Sequence, residues 1–229
     1  MASEIHFTNA TFRFLEELAA NNNRPWFEKN RPRYEEHVKE PAMRFITDFR
    51  PLLKRISPHF RADPRPVGGS MFRIYRDTRF SKDKSPYKTY TGIQFRHDLG
   101  KDAHAPGFYL HLEPKSVFIG LGCWHPDGTS VKKIRDAIVD DPAGWKRATR
   151  SKKFMSRFEL AGDSLVRHPR DFDPDHPLIE DLRRKDFIGV APVSEKRVTQ
   201  RGFLEDFAKA CGDGRGIVRF LCKAVDAPF

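Results

Sequence analysis

Residues 76–90 combine arginines, lysines, aspartates and two tyrosines with almost no apolar side chain. Between positions 72 and 88, six cations stand against two carboxylates, a local net charge of +4 within a chain of net charge +11. Guanidinium groups can grip a phosphate or carboxylate through two parallel hydrogen bonds, and ammonium groups add mobile positive charge. The pattern therefore predicts contacts to an anionic ligand from Arg73, Arg76, Arg79, Lys82, Lys84 and Lys88.

Two carboxylates, Asp77 and Asp83, interrupt this basic stretch. Such groups can orient arginines, act as a general base, or pair with lysines in a solvated loop. We take Asp83 as a candidate catalytic residue. A solvated loop without a ligand is the alternative, because background charge alone gives only weak, salt-sensitive affinity for nucleic acid.

Strands that could position these groups follow from an alternation of apolar and polar residues. The period of two predicts strands with one buried face. A short turn at 114–115 allows a hairpin that pairs Leu110 with Ile119 and Phe108 with Leu121, so that each pair is apolar. The segments concerned are 72–75, 93–96, 108–113 and 117–124.

The same register places a second set of side chains on the face opposite the core. Tyr109 and His111 would point there, with Gly120 opposite Tyr109. A strand glycine often marks close approach of a ligand, although it can also mark a bulge on an ordinary wet face. To the cations above, this face and the basic stretch add candidate ligand-binding residues Tyr87, Arg96, Tyr109, Gly120, Gly122 and Trp124.

His111 is the second candidate catalytic residue, because imidazole titrates near neutral pH. Cationic neighbours are expected to lower its pKa. His97, His104 and His125 are near it in sequence, but their spacing matches no zinc pattern, so we predict no metal site. No P-loop motif occurs either, and no cofactor is predicted.

Helical periodicity dominates both ends of the chain. A first helix is expected from Thr8 or Asn9 to the asparagines at 21–23. Further helices are expected near 26–38, 41–56, 198–210 and 214–224, with breaks or kinks at Pro41 and Pro51 and at the glycines 212 and 214. This order predicts an α+β fold, an antiparallel meander with N-terminal and C-terminal helices packed on one side, in a single domain of residues 1–229.

Composition limits the class of protein. Three cysteines form no CxxC pair, which favours a reducing compartment over a disulfide framework. No apolar run is long enough to span a membrane, and the start lacks the layout of a secretory signal. We expect a cytoplasmic protein that does not enter a membrane, with its oligomeric state left open.

Four strings also resemble a known family. They are FLEELAANNNRPWFEKNRPRYEE, RDTRFSKDKSPYKTY, FYLHLEPKSVFIGLGCWHP and HPLIEDLRRKDFI, and together they are similar to a widespread, mainly bacterial family called domain of unknown function 2461. The resemblance spans nearly the whole chain. It implies one cytoplasmic domain and no established activity.

Three functions are consistent with the sequence. The first is a domain that binds a phosphorylated or otherwise anionic ligand, a nucleotide or a nucleic acid, through the basic stretch and the glycine-rich sheet face. The second is an enzyme that acts on a small phosphorylated substrate, with His111 or Asp83 as proton carrier. The third is a docking domain for an acidic protein partner.

Overall fold

The computed structural model describes residues 4–99 and 105–229 and confirms the α+β class. The longer helices are α1 (Asn9–Ala20), α2 (Arg24–Tyr34), α3 (Glu40–Ile56), α4 (Gly128–Asp140), α5 (Pro142–Arg150) and α9 (Phe203–Ala224). Three helices of one turn are α6 (Lys152–Met155), α7 (Ile179–Leu182) and α8 (Glu195–Val198). The strands are β1 (Thr91–Arg96), β2 (Gly107–Leu112), β3 (Phe118–Cys123), β4 (Glu159–Ala161) and β5 (Phe187–Pro192).

The five strands form one antiparallel sheet in the order β1-β2-β3-β5-β4. Leu110 pairs with Ile119 and Phe108 with Leu121, which confirms the predicted hairpin register. All four side chains are buried in the core. The register also aligns a row across the opposite face through four strands, formed by Gln94, Tyr109, Gly120 and Val190.

Helices cover the apolar face of the sheet through aromatic contacts. Phe49 of α3 lies with its ring centroid 4.6 Å from Phe95 of β1 and 4.8 Å from Phe207 of α9. Trp145 of α5 meets Phe187 of β5 edge to face at 6.2 Å. Because these rings are buried on one side of the sheet, the other face is left to side chains of a different kind.

The predicted interruption before Pro41 takes the form of a π-helical turn, Glu35–Lys39, that joins α2 to α3. Proline lacks an N–H, and its ring collides with the carbonyl four residues earlier in a regular helix. A wider turn at this point lets the chain continue as helix. Pro51 lies inside α3 without ending it.

The predicted pair of C-terminal helices is wrong, since a single helix, α9, runs through both glycines. A Cβ on Gly214 would lie 2.1 Å from Leu121 Cδ2, so glycine allows α9 to approach β3 closely. Gly212 has no heavy atom within 4 Å of the same position. The helix continues through both glycines because the buried face of α9 as a whole offsets the low helix propensity of glycine.

The strand expected at 72–75 is also absent. This segment makes only isolated bridges, Met71 with Ile93 and Tyr75 with Tyr87. Without a regular pleat, strict alternation is lost. Ile74 is buried, whereas Phe72, which regular alternation would place on the same face, lies on the face opposite the core.

The three cysteines are free and buried. Burial raises the pKa of each thiol, to about 12 for Cys222. None of the helices in the described ranges combines the length and hydrophobicity needed to cross a bilayer.

The two glycines of α9 provide a matched test of this packing. We expect Gly214→Ala to destabilise the fold by about 1–3 kcal/mol, because its methyl group would overlap Leu121. Gly212→Ala should instead stabilise it by about 0.5–1 kcal/mol, since alanine lowers the entropic cost of helix formation in open space. Urea unfolding of both variants measures the difference. Equal effects would show that α9 is not packed closely on β3.

Candidate functional site

The basic stretch folds into a loop closed by the bridge between Tyr75 and Tyr87, which we call the basic hairpin (residues 75–87). Arg76 N–H donates to the Pro86 carbonyl at 2.9 Å and fixes the base of the hairpin. At its tip, Phe80 is 96% exposed, and Lys82 and Lys84 are exposed beside it. The hairpin therefore has an ordered base beside the sheet and a tip in solvent.

Tyr87 anchors the hairpin to the N-terminal helices. The Asn22 side chain accepts a hydrogen bond from Tyr87 N–H at 3.1 Å and donates one to the Tyr87 carbonyl at 2.9 Å. The Tyr87 ring is 2% exposed and stacks on Phe27 at 4.1 Å. Its ring thus packs in the core, and the contact of Tyr87 with a ligand stays a prediction.

A groove of about 370 Å³ lies on the sheet face opposite the core. Tyr109 is central to it, with Phe72 at 6.0 Å on one side and Phe118 at 5.9 Å on the other. Trp124, 54% exposed, lies at its edge. The side chains that line this groove are mostly apolar: Phe72, Tyr90, Gln94, Tyr109, His111, Phe118, Trp124, Ile188 and Val190.

A second cavity, the polar pocket, has a volume of about 630 Å³ and shares Tyr90 and His111 with the groove. Charged and hydroxyl groups dominate its lining. The residues are Ala19, Asn22, Arg76, Asp77, Asp83, Ser85, Tyr87, Lys88, Thr89, Tyr90, His111 and Glu113. The rings of Tyr90 and His111 therefore form a wall between the groove and the polar pocket, at the place where the base of the basic hairpin meets the sheet face.

The two predicted glycines have different roles. A Cβ on Gly120 would make only ordinary contact with Tyr109, at 3.5 Å, so the missing side chain leaves the groove open. Gly122 has a φ of +114°, and a Cβ there would lie 2.1 Å from the Phe187 carbonyl oxygen. The backbone conformation therefore requires glycine at position 122 whether or not a ligand binds in the groove.

Of the predicted cations, only Arg76 and Lys88 line the polar pocket. The Arg76 guanidinium is in an ion pair with Asp83. Arg79 lies outside both cavities and pairs with Asp77 at 2.6 Å, and Lys84 donates to the Thr78 carbonyl at 2.9 Å.

The remaining predicted cations also lie outside both cavities. Arg73 is exposed, because the segment that carries it is not a regular strand. Arg96 donates to the Gly68 carbonyl at 2.6 Å, and Lys82 is exposed in the hairpin. The predicted cations are therefore close together in the sequence but do not line one common cavity in the structure.

Lys88 differs from the other cations of the hairpin region. Its ammonium is partly buried, donates to the Arg73 carbonyl at 2.7 Å, and lies 5.6 Å from the centre of the Phe72 ring. Among the described residues it has no ion-pair partner. Burial lowers its pKa, and the nearby Arg73 lowers it further. A bound anion would relieve both effects.

Asp83 is a poor candidate for a general base. It accepts hydrogen bonds from the Ser85 hydroxyl at 2.6 Å and the Ser85 N–H at 2.9 Å, besides its ion pair with Arg76. These contacts, with Ser85 first, hold the pKa of the carboxyl well below its usual range. A carboxylate stabilised in this way has little tendency to take a proton near neutral pH.

His111 lies in the wall between the two cavities, and its side chain is largely buried. The imidazole stacks on Phe118 at 4.6 Å and lies 4.6 Å from the Tyr90 ring. Its Nδ1 is 2.9 Å from the Tyr109 hydroxyl, and its Nε2 is 3.2 Å from Glu113 Oε2.

Burial lowers the pKa of His111, and the hydrogen bond and charge of Glu113 oppose that shift. The direction was predicted, but the expected cause was wrong. Aromatic rings surround the imidazole, and its charged contact is a carboxylate. The neutral imidazole is therefore the favoured form.

Several residues that shape the site were not predicted. Asn22 has no distinguishing signal in the sequence, because its role depends on a contact 65 positions away. Ile188 and Val190 line the groove from β5, and the pairing of β5 with β3 has no signal in the sequence. Strand alternation places Glu113 on the face of Tyr109 and His111, and Tyr90 ends the basic stretch, although neither was among the candidate site residues.

The other singled-out histidines lie elsewhere. His97 Nε2 is 2.7 Å from the Pro228 carbonyl, His125 is 3.0 Å from Asp186, and His104 lies outside the described residues. Within the described ranges, ligand atoms close enough for a shared metal occur in Glu4 and His6, near the N-terminus, and in Asp48 of α3. These atoms are partly committed, since His6 pairs with Asp48 at 2.8 Å and Glu4 lies 3.5 Å from Arg44.

A family model described as conserved hypothetical protein (DUF2461) matches residues 10–220. The chain belongs to the DUF2461 family. No curated protein and no solved structure matches it. The DUF2461 match extends from α1 into α9, so both cavities lie within the family domain.

The lowered pKa of His111 predicts a pH-dependent stability in this DUF2461 domain. The unfolded chain binds a proton on this histidine near the ordinary pKa of 6.5, before the folded chain does. The contribution of His111 to the free energy of unfolding should therefore be largest above pH 6.5 and fall as the pH drops toward the lowered pKa. Below the lowered pKa, this contribution should no longer change with pH. We expect His111→Gln to lose less stability than the wild type between pH 7 and 5, in urea unfolding at matched pH values. A parallel loss in both proteins would contradict the burial of His111.

Proposed function

We propose that this protein binds a small ligand in which an aromatic or other flat apolar ring is attached to one anionic group and to hydroxyls. The ring would occupy the groove and the anionic group would contact Lys88 in the polar pocket. The observation that carries the proposal is the shared wall of Tyr90 and His111, which joins an apolar cavity to a charged one. A nucleotide belongs to this chemical class.

The dimensions support a small ligand. Cavities of about 370 and 630 Å³ are in the range of about 300–1,000 Å³ found for small-molecule sites. Aromatic rings on the groove side, Phe72, Tyr109 and Trp124, offer faces and edges on which a ring can stack.

Lys88 supports a negative charge on the ligand. Its ammonium group is partly buried and has therefore lost part of its hydration. Among the described residues, no carboxylate forms an ion pair that would compensate for this loss. A phosphate or carboxylate in the pocket would supply the missing charge-assisted hydrogen bond.

The carboxylates of the polar pocket favour a ligand with a single anionic group. Two cations, Arg76 and Lys88, line the pocket with three carboxylates, Asp77, Asp83 and Glu113. Carboxylates accept hydrogen bonds from hydroxyls but repel further anions. This balance favours a mononucleotide over a nucleic acid strand, whose successive phosphates would meet negative charge.

We further propose a cytoplasmic location, which three buried free thiols support.

A matched pair of lysines tests the binding proposal. Lys88→Met and Lys84→Met remove the same charge from ammonium groups that each donate to a backbone carbonyl, but only Lys88 lines the pocket. In calorimetric titrations with adenosine, guanosine, cytidine and uridine monophosphates, we expect Lys88→Met to weaken the best affinity about tenfold or more. Lys84→Met should change it less than about twofold.

Two further measurements sharpen this test. Gly120→Val should abolish binding by filling the groove, while circular dichroism confirms the fold. The affinity of the wild type for the nucleotides should depend only weakly on salt, so that a plot of log affinity against log salt concentration has a slope that corresponds to about one released counterion. Binding of a single-stranded nucleic acid through successive phosphates would release several. Equal losses in both lysine variants, or no nucleotide binding up to millimolar concentration, would refute the proposed site.

A further inference from the structure

Three hydrogen-bonded residues cross the wall between the cavities. Tyr109 lines the groove, Glu113 lines the polar pocket, and His111 lines both. The Tyr109 hydroxyl is 2.9 Å from His111 Nδ1, and His111 Nε2 is 3.2 Å from Glu113 Oε2. The chain of contacts therefore runs from the apolar cavity to the charged one.

The chemistry of the three groups fixes the direction of these hydrogen bonds. An ionised carboxylate only accepts, so His111 Nε2 carries the proton and donates to Glu113. In a neutral imidazole Nδ1 must then accept, and Tyr109 donates its O–H to it. Both bonds point from the groove to the polar pocket.

The fold makes room for this arrangement. Gly92 pairs with His111 across β1 and β2, and a Cβ on Gly92 would lie 2.6 Å from the Tyr109 hydroxyl oxygen. Glycine at this position thus leaves the space that the hydroxyl occupies. The rings of Phe118 and Tyr90 each lie 4.6 Å from the imidazole and restrict its rotation. Glu113 is oriented by Thr89, whose hydroxyl donates to Oε1 at 3.2 Å.

We propose that Tyr109, His111 and Glu113 form a proton relay that removes a proton from a hydroxyl group of a ligand bound in the groove. Tyr109 is the catalytic residue that touches the ligand, and His111 and Glu113 are positioning residues that act through it. The inference rests on the proposed function only in placing a ring-bearing ligand in the groove. It makes the protein an enzyme of the general-base class.

The relay moves one proton along each hydrogen bond and leaves the imidazole protonated on Nδ1 in place of Nε2. Protonation of the leaving group by the same chain in reverse restores the starting tautomer. The ligand hydroxyl gives its proton to the Tyr109 oxygen while the Tyr109 proton passes to His111 Nδ1. The Nε2 proton passes to Glu113, which lines the polar pocket and exchanges it with water. The ligand oxygen is left as a nucleophile.

An aryl sulfonyl fluoride tests this relay without a known substrate. Benzenesulfonyl fluoride has a ring for the groove, and Tyr109 Oη would attack its sulfur. The O–S bond forms, the S–F bond breaks, fluoride leaves, and the phenolic proton passes to His111 Nδ1. We expect peptide mass spectrometry to find Tyr109 labelled at least about tenfold faster than Tyr75, whose side chain is 50% exposed.

Variants separate a relay from a structural contact. Glu113→Gln keeps the shape and a hydrogen-bond acceptor but removes the charge, so we expect labelling of Tyr109 to slow about tenfold or more. Glu16→Gln makes the same chemical change at an exposed position of α1 outside both cavities and should have no effect. The wild-type rate should rise with pH to a plateau whose midpoint lies below 6.5, as His111 becomes neutral.

Each outcome decides the proposal. Labelling of Tyr109 no faster than Tyr75, or an unchanged rate in folded Glu113→Gln protein, overturns the relay. Equal slowing in Glu16→Gln overturns it as well, because the overall charge of the protein would then be the cause. Failure of nucleotides to bind would refute the proposed ligand class while leaving the labelling result unaffected, so the two proposals fail separately.

Discussion

The clamp of Asn22 on the backbone of Tyr87 is the contact on which the whole candidate site depends. One side-chain amide satisfies both the N–H and the carbonyl of Tyr87, and Phe27 stacks on its ring. This fixes the basic hairpin between the N-terminal helices and the sheet. Together with the hydrogen bond from Lys88 N–H to the Ile74 carbonyl at 2.7 Å, the clamp holds Arg76 and Lys88 at the polar pocket.

Strand alternation then gives the two cavities their different chemistry. One face of β2 supplies Phe108 and Leu110 to the core, and the other supplies Tyr109 and His111 to the groove. Because β2 begins beside the apolar groove and ends beside the basic hairpin, side chains along one face pass from an apolar to a charged environment. His111 lies at this boundary, and its burial and hydrogen bonds are consequences of that position.

Much of this arrangement could be predicted from the sequence, because it follows from local rules. The register of Leu110 with Ile119 fixes which side chains share the face of Tyr109, and that face was correctly assigned. The placement of cations could not be predicted in this way. Arg79 and Lys84 are close to Arg76 in sequence, yet short-range pairing with Asp77 and Thr78 turns them from the pocket. The role of Gly214 likewise depended on a helix-to-sheet contact that no periodicity reveals.

Three glycines on the site face show why residue type alone does not indicate function. Gly122 is required by its own backbone conformation, and Gly92 by the hydroxyl of Tyr109. Only at Gly120 would a side chain fit without strain, at 3.5 Å from Tyr109, and there it would reduce the groove. Since neither fold nor backbone demands glycine at this position, its absent side chain is the feature of the sheet most directly connected with an open cavity. For the proposed ligand, the shape of the groove should therefore contribute more to selectivity than the charge of the basic hairpin.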